Sequence, residues 1–232
     1  MSWVHRLIGK NASTQLGIDG ENFAARVHQR PQAIGASGGA YGIAVRSGIM
    51  AAGLAADSEI FQARWTSASK VCIPRSIQIS IARDTTAFVT GRAIIYATHA
   101  RGWTVDGGGG TAVVFSTNNT NKKRTSFPLS AFSDTGMRFS ATAALTGGTK
   151  TFDTNAFAAM TAFISSGATT VPDSWVVPPG SMLWQRNTGD EMPLYYVQNE
   201  GFAIRATMPG TGTWGFTVQF EWAEAVATEI DW

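Results

Sequence analysis

One short stretch of the sequence has the residue types of a serine hydrolase. Gly35-Ala36-Ser37-Gly38-Gly39 fits the G-x-S-x-G pattern of a nucleophile elbow, and His99 would be the general base that accepts the serine proton. Such an elbow needs an apolar strand before the serine and a helix after it. Here "HQRPQA" precedes the glycines and more glycine follows, which is the pattern of a hinge. A hydrolase that a serine probe would label at Ser37 is therefore the weakest of three functional hypotheses.

Two groups of carboxylates, Asp190-Glu191 and Glu221 with Glu224, have the residue types of a glycosidase. The catalytic carboxyl groups of such an enzyme lie about 5–9.5 Å apart across a cleft. Adjacent residues on a strand point to opposite faces, and Asp190-Glu191 follow a turn glycine. Solvated charges are the favoured interpretation.

The histidines and the single cysteine do not form the pattern of a metal site. His5 and His28 are 23 positions apart, with no cysteine or carboxylate spacing of a zinc site around them. His99 lies in a mixed strand and is expected to be packed or at an edge. Cys72 lies in an apolar stretch and is expected to be a buried free thiol.

Two glycine-rich segments are also explained without a ligand. Gly107–Gly110 lacks the Gly-Lys-Ser/Thr ending of a phosphate-binding loop, and "PGTGTWG" lacks the following helix of a dinucleotide turn. Turn geometry accounts for both. We therefore expect no catalytic residue, no cofactor and no metal, and a protein that is not an enzyme.

Exposed aromatic side chains could instead stack on sugars. Trp103 and Trp175 are the best candidates, because each is next to turn residues. Burial in an interface is the favoured interpretation of both. The alternative is a receptor-binding or carbohydrate-binding module, which replacement of both tryptophans by alanine would distinguish.

The composition indicates a surface that is partly covered by other protein. Charged residues make up 15% of the 232 residues, against about 25% in ordinary soluble domains. The net charge is +2, and the longest block of like charge is Lys122–Arg124, which argues against nucleic acid as a partner. The sequence has neither a secretion signal nor an apolar run of membrane-spanning length, so we expect a protein made in the cytoplasm, without a membrane partner.

The elements that position these residues are predicted to be strands. In "GTWGFTVQFEW" apolar and small or polar residues alternate, which places five apolar side chains on one face: Trp214, Phe216, Val218, Phe220 and Trp222. Such a stripe must pack against a second sheet about 10 Å away. We expect a central or near-central core strand whose deletion prevents folding.

The rest of the chain after Tyr41 shows the same kind of element. Ile77, Ile79 and Ile81 alternate with polar residues, after a break at Pro74. A turn is predicted at "VPPG", while "MRFSATAAL" and "KTFDTNAFAAM" fit strand and short irregular or helical pieces. Further strands are predicted at Glu59–Trp65, Arg92–Arg101, Thr111–Phe115, Ser181–Trp184, Leu194–Val197 and Phe202–Thr207. Eight or more short strands with almost no helix predict an all-β antiparallel sandwich over residues 41–232.

Residues Met1–Ala40 are predicted to be an extended N-terminal arm. Neither periodicity persists there, although a weak helix is possible at Glu21–Gln29. Such a segment cannot bury enough of its own apolar surface to offset the entropy lost on ordering. Its apolar residues favour contact with a neighbouring subunit, and they are Trp3, Val4, Leu7, Ile8 and Phe23.

Three stretches carry a resemblance to a known group of proteins. They are "GIMAAGLAADSEIFQARWTSASKVCIPRSIQIS", "VPPGSMLW" and "LYYVQNEGFAIRATMPGTGTWGFTVQFEWAEA". They resemble tailed-phage and prophage-encoded virion proteins over about Gly42 to Ala225, which leaves out the arm. The resemblance implies a jelly-roll-like sandwich that serves as a building block of the particle, and it brings no catalytic motif.

The expected function is that of a phage virion structural protein, made in the bacterial host cytoplasm. We expect a head decoration or cement subunit that forms a symmetric oligomer, with a trimer as the expected symmetry. Its partners would be other copies of itself and other virion proteins, above all the major capsid protein. The arm would order on neighbouring subunits or on the shell and so add buried area.

Overall fold

The computed structural model describes residues 38–51, 54, 56–117, 121–164, 175–187 and 193–226. Most of the predicted arm, with its five apolar residues and the weak helix, lies outside these ranges. The first strand begins at Gly39, so the last two residues of the predicted arm belong to the sandwich.

All regular elements of the described residues are strands. Their bounds are β1 Gly39–Arg46, β2 Met50–Ala51, β3 Ser58–Trp65, β4 Lys70–Arg83, β5 Gly91–Val105, β6 Thr111–Ala112, β7 Met137–Phe139, β8 Thr149–Phe152, β9 Ala158–Ile164, β10 Trp175–Gln185, β11 Glu200–Thr207 and β12 Thr213–Val226.

The strands form two antiparallel sheets with the order of a jelly roll. The first sheet runs β1-β12-β4-β10, with β2 also paired to β12, and the second runs β6-β7-β3-β11-β5, with β8 and β9 paired to β5. The topology is clearest when the four shortest strands, β2, β6, β7 and β8, are left out and the other eight are renumbered 1 to 8 in chain order. The strand order is then 1-8-3-6 in the first sheet and 2-7-4-5 in the second. This alternation between sheets is the jelly-roll topology, and it confirms the predicted fold class.

The core lies between the sheets and is centred on β12. All five apolar residues of the predicted stripe are buried, and Phe220 packs against Phe202 and Phe61 of the second sheet at centroid distances of 5.0 and 6.4 Å. Trp222 stacks on Tyr41 of β1 at 5.5 Å. Because β12 pairs with both β1 and β4, it is an inner strand of the first sheet.

Pro74 does not end a strand, as the sequence predicted, but lies inside β4. The register of the β4–β12 ladder shifts between Glu221 and Trp222, opposite the segment that contains Pro74. A bulge of this kind tolerates a residue without an N–H group, because the ladder hydrogen bond is already interrupted there.

The predicted turn at Pro178-Pro179-Gly180 is likewise part of a strand, β10. Its pairing with β4 jumps between Val177 and Ser181, so the prolines form a bulge. An edge strand accommodates proline because one side of it has no hydrogen bonds to make.

Other predicted boundaries also changed. The strand expected at Thr111–Phe115 is reduced to Thr111–Ala112, and Leu194–Val197 contributes one isolated bridge at Tyr196. "KTFDTNAFAAM" forms β8 and the start of β9 rather than helical pieces.

Replacing Phe220 by alanine tests the position of β12 in the core. We expect Phe220→Ala to lower the free energy of unfolding by roughly 3–5 kcal/mol, since it removes buried area and leaves a cavity. Gln219→Ala, at the exposed neighbouring position, is the matched control and should change it by about 0.5 kcal/mol or less. Urea denaturation of both variants measures the difference, and similar effects would contradict this packing.

Candidate interaction surfaces

The outward side of the first sheet is a broad face with little charge. On β12 the residues that alternate with the aromatic stripe point outward, and on β4 the same holds for the residues between the isoleucines. Cross-strand pairs place them side by side, with Thr217 opposite Ser80 and Gln219 opposite Gln78. We call this set the sheet-one face, defined by Ser76, Gln78, Ser80, Thr217 and Gln219.

Charge lies at the rim of the sheet-one face. Arg46 is exposed at the end of the edge strand β1, opposite Thr217. Lys123 Nζ is 2.7 Å from Glu221 Oε2, and both side chains are about half exposed. The Lys123 segment also covers the edge of β1, since Gly42 N donates to Asn121 O and Lys123 N donates to Ala40 O, each at 2.9 Å. The centre of the face therefore offers hydroxyl and amide groups, which can be buried against another protein at smaller cost than charges.

A second exposed feature is apolar. Phe163 on β9 is 71% exposed, more than any other large hydrophobic side chain among the described residues. Ala159 and Thr161 are exposed on the same strand, at alternate positions. Apolar surface of this kind marks a contact site more often than a polar surface does.

His99 packs against two aromatic residues, Phe157 and Tyr196. Its ring stacks on Phe157 with centroids 4.2 Å apart, and its Nδ1 lies 2.9 Å from the Tyr196 hydroxyl oxygen. Burial lowers the pKa of His99 and raises that of Tyr196 well above its usual value, so both groups are neutral near pH 7. The predicted packed position of His99 is confirmed.

Glu224 is a buried carboxylate, so the solvated position favoured for it from the sequence is wrong. It is 1% exposed and accepts hydrogen bonds from Ser130 Oγ at 2.6 Å, Ala131 N at 3.0 Å and Trp222 Nε1 at 3.2 Å. Burial raises the pKa of Glu224 despite these donors and the nearby Lys70 ammonium. Continuing the alternation of β12 by one more step would have placed Glu224 on the inward face.

Trp103 is buried within its own chain, so it is neither the interface residue favoured from the sequence nor the alternative sugar platform. It is 1% exposed, and Lys150 Nζ lies 4.2 Å from its ring centroid, so the ring is covered within its own chain. The Lys150 ammonium is also 2.7 Å from Glu59 Oε2, and the lysine is almost fully buried. Burial lowers the pKa of Lys150, and Glu59 opposes that effect. The cluster anchors β8 on the outer side of the second sheet.

The other candidate residues from the sequence are the single cysteine, the glycine-rich turn and several positions outside the described residues. Cys72 is a buried free thiol, as predicted, and burial raises its pKa well above the usual value. Gly109 and Gly110 have positive φ angles of 74° and 55°, as a tight turn requires. Several candidates lie outside the described residues, and these are Ser37, His5, His28, Asp190, Glu191 and the side chain of Trp175.

Within the described ranges, no three His, Cys, Asp or Glu side chains come together as metal ligands. No helix long and apolar enough to cross a membrane occurs in the same residues. No protein-family model matches the chain, and neither the curated proteins nor the solved structures gave a match.

The buried carboxylate predicts a pH effect on stability. Because the folded state raises the pKa of Glu224 above its ordinary value of 4.5, the folded protein binds more protons than the unfolded chain between the two pKa values. The contribution of Glu224 to the free energy of unfolding therefore falls as pH rises through that window. Glu224→Gln should remove this contribution, so the stability of the wild type relative to the variant should decline from pH 4 to pH 7.

Urea denaturation at several pH values measures this decline. Glu221→Gln makes the same chemical change at a half-exposed position of the same strand and separates burial from simple loss of charge. Parallel pH curves for the wild type and Glu224→Gln would contradict the assignment.

Proposed function

We propose that the chain is a structural protein of a tailed-phage virion, specifically a head decoration or cement subunit. It acts by binding rather than by catalysis. Its partners are other copies of itself and the major capsid protein, and its location is the virion.

The observation that carries this proposal is the sheet-one face. A water-facing sheet normally carries ionic side chains, whereas this one has Gln78 and Gln219 paired at its centre. The exposed residues beside this pair on the two outer strands are also uncharged, and they are Ala44 and Met182. A rigid sandwich with such a face fits a subunit that lies flat on other protein. The resemblance of the sequence to phage virion proteins supports the same class of role.

Modest contacts between subunits would suffice to hold such a protein on the particle. Each subunit on a closed shell meets its neighbours at high effective concentration, so several weak contacts act together. The sheet-one face would supply one contact, and residues Met1–Ala40 would supply another by ordering on a neighbouring subunit or on the shell.

The glycan-binding alternative loses one of its two proposed platforms. Trp103 is buried beneath Lys150 and presents no ring to a sugar. No described feature favours a carbohydrate-binding or receptor-binding module of a tail or fibre over assembly.

Lysine substitutions in the sheet-one face test the proposal. We expect Gln78→Lys combined with Gln219→Lys to weaken binding to purified heads of the encoding phage by roughly tenfold or more. The reason is that burying an unpaired ammonium costs several kcal/mol. Thr151→Lys, at an exposed position of the second sheet, is the matched control and should bind as the wild type does. Co-sedimentation with heads over a protein concentration series gives the affinities.

Deletion of residues 1–37 tests the arm separately. The cut leaves β1 intact, because that strand begins at Gly39, so the sandwich keeps its edge. Weaker binding of the truncated protein is expected. If the truncated protein and the double lysine variant both bind heads as tightly as the intact chain, the proposed function is wrong.

A further inference from the structure

The strand β9, Ala158–Ile164, is a sheet edge of unusual composition. It pairs with β5 over all seven of its residues without a shift in register. Among the described residues, its other side has no strand partner. The sequence AAMTAFI contains no charged residue and no proline, so the free row of backbone N–H and C=O groups is flanked by apolar and small side chains.

The other edges of the two sheets are protected. Pro178 and Pro179 with three register shifts interrupt β10, and the Asn121–Lys123 segment hydrogen-bonds to β1. In the second sheet, β6 at the opposite edge and β8 beside β9 on β5 are only two and four residues long. Proteins avoid unwanted pairing by such devices, and the described residues show none of them at β9.

The side chains of β9 alternate between an exposed face and a partly buried face. Residues Ala159, Thr161 and Phe163 are exposed and share the outward face, while Ala158, Met160, Ala162 and Ile164 are partly buried and share the other. Phe163 is 71% exposed. Full burial of a phenylalanine side chain covers about 150–250 Å², and at roughly 25 cal/mol per Å² this gains at most several kcal/mol. A strand added to this edge would cover much of that ring.

We propose that β9 pairs with β9 of a second copy of this chain, antiparallel, about a twofold axis at Thr161. In this register every large side chain of β9 lies opposite an alanine. Phe163 opposes Ala159 of the second copy, Ile164 opposes Ala158, and Met160 opposes Ala162, while Thr161 opposes itself.

Neighbouring registers pair five residues of each strand instead of seven, so they form fewer backbone hydrogen bonds. A shift of the axis to Ala162 would place Ile164 opposite Met160, and a shift to Met160 would place two methionines opposite each other. Axes between residues would put the outward face of one copy beside the inward face of the other, because the side-chain period is two. The absence of charge on β9 also means that two identical edges meet without repulsion.

This contact joins the second sheets of two copies into one continuous sheet. It goes beyond the proposed function, because it concerns the isolated protein and would hold whether or not the protein binds heads. If this were the sole contact between copies the protein would be a dimer, and if the expected threefold contact also forms it would be a hexamer.

Thr161→Lys tests the contact by placing two ammonium groups opposite each other at the axis. Thr161 is exposed, so the subunit should fold normally, and Thr151→Lys on the exposed face of β8 is the matched control. We expect sedimentation velocity to show a twofold lower mass for Thr161→Lys than for the wild type and an unchanged mass for Thr151→Lys. Circular dichroism and thermal unfolding of both variants check the fold.

Thr161→Cys gives a positive test of the register. Opposed residues of an antiparallel pair have Cα atoms about 4.5–5.5 Å apart, a distance that a disulfide can span. Under mild oxidation we expect a covalent dimer of Thr161→Cys to form at least tenfold faster than one of Thr151→Cys. Cys72 is buried and should give little background. A monomeric wild type, an unchanged mass for Thr161→Lys, or equal cross-linking of the two cysteine variants would each overturn the proposal.

Discussion

Phe220 and Trp222 connect β12 to almost every other part of the sandwich. Phe220 contacts Phe202 of β11 across the core, with ring centroids 5.0 Å apart. Trp222 contacts Phe132, which lies in a loop, at a centroid distance of 5.4 Å. The backbone of β12 meanwhile pairs with β1 on one side and β4 on the other. Since an aromatic ring buries about 150–250 Å², this single strand carries a large share of the apolar burial that offsets chain entropy.

The same strand determines the outer face. Because side chains alternate, the register that turns Phe216, Val218 and Phe220 inward turns Thr217 and Gln219 outward. A slip of one residue would exchange the two sets, exposing the rings and burying amides. The composition of the sheet-one face is therefore a direct consequence of the core packing, and the ladder to β4 fixes both.

The sequence predicted the elements in which one local pattern dominates, and missed those set by tertiary contacts. Strict alternation over Ile77–Ile81 and over the β12 stripe predicted burial correctly. Proline chemistry alone suggested breaks at Pro74 and Pro178, because bulges and edge positions become evident only when the partner strands are known. The burial of Trp103 within its own chain was missed for a similar reason, since Lys150, which covers the ring, is distant in the sequence.

Several charged residues of the described part hold the fold together. Arg64 pairs with Asp106 at 2.7 Å, Glu59 with Lys150 at 2.7 Å, and Glu224 is enclosed by the segment at Ser130 and Ala131. Charges used in this way do little to solvate the surface of a chain that is only 15% charged. A monomer would then expose neutral faces and the unprotected edge of β9 to water. Contacts with other protein would cover both the neutral faces and the edge of β9. Amide and hydroxyl groups lose little free energy when they are buried with hydrogen-bond partners, and the edge of β9 would gain backbone hydrogen bonds.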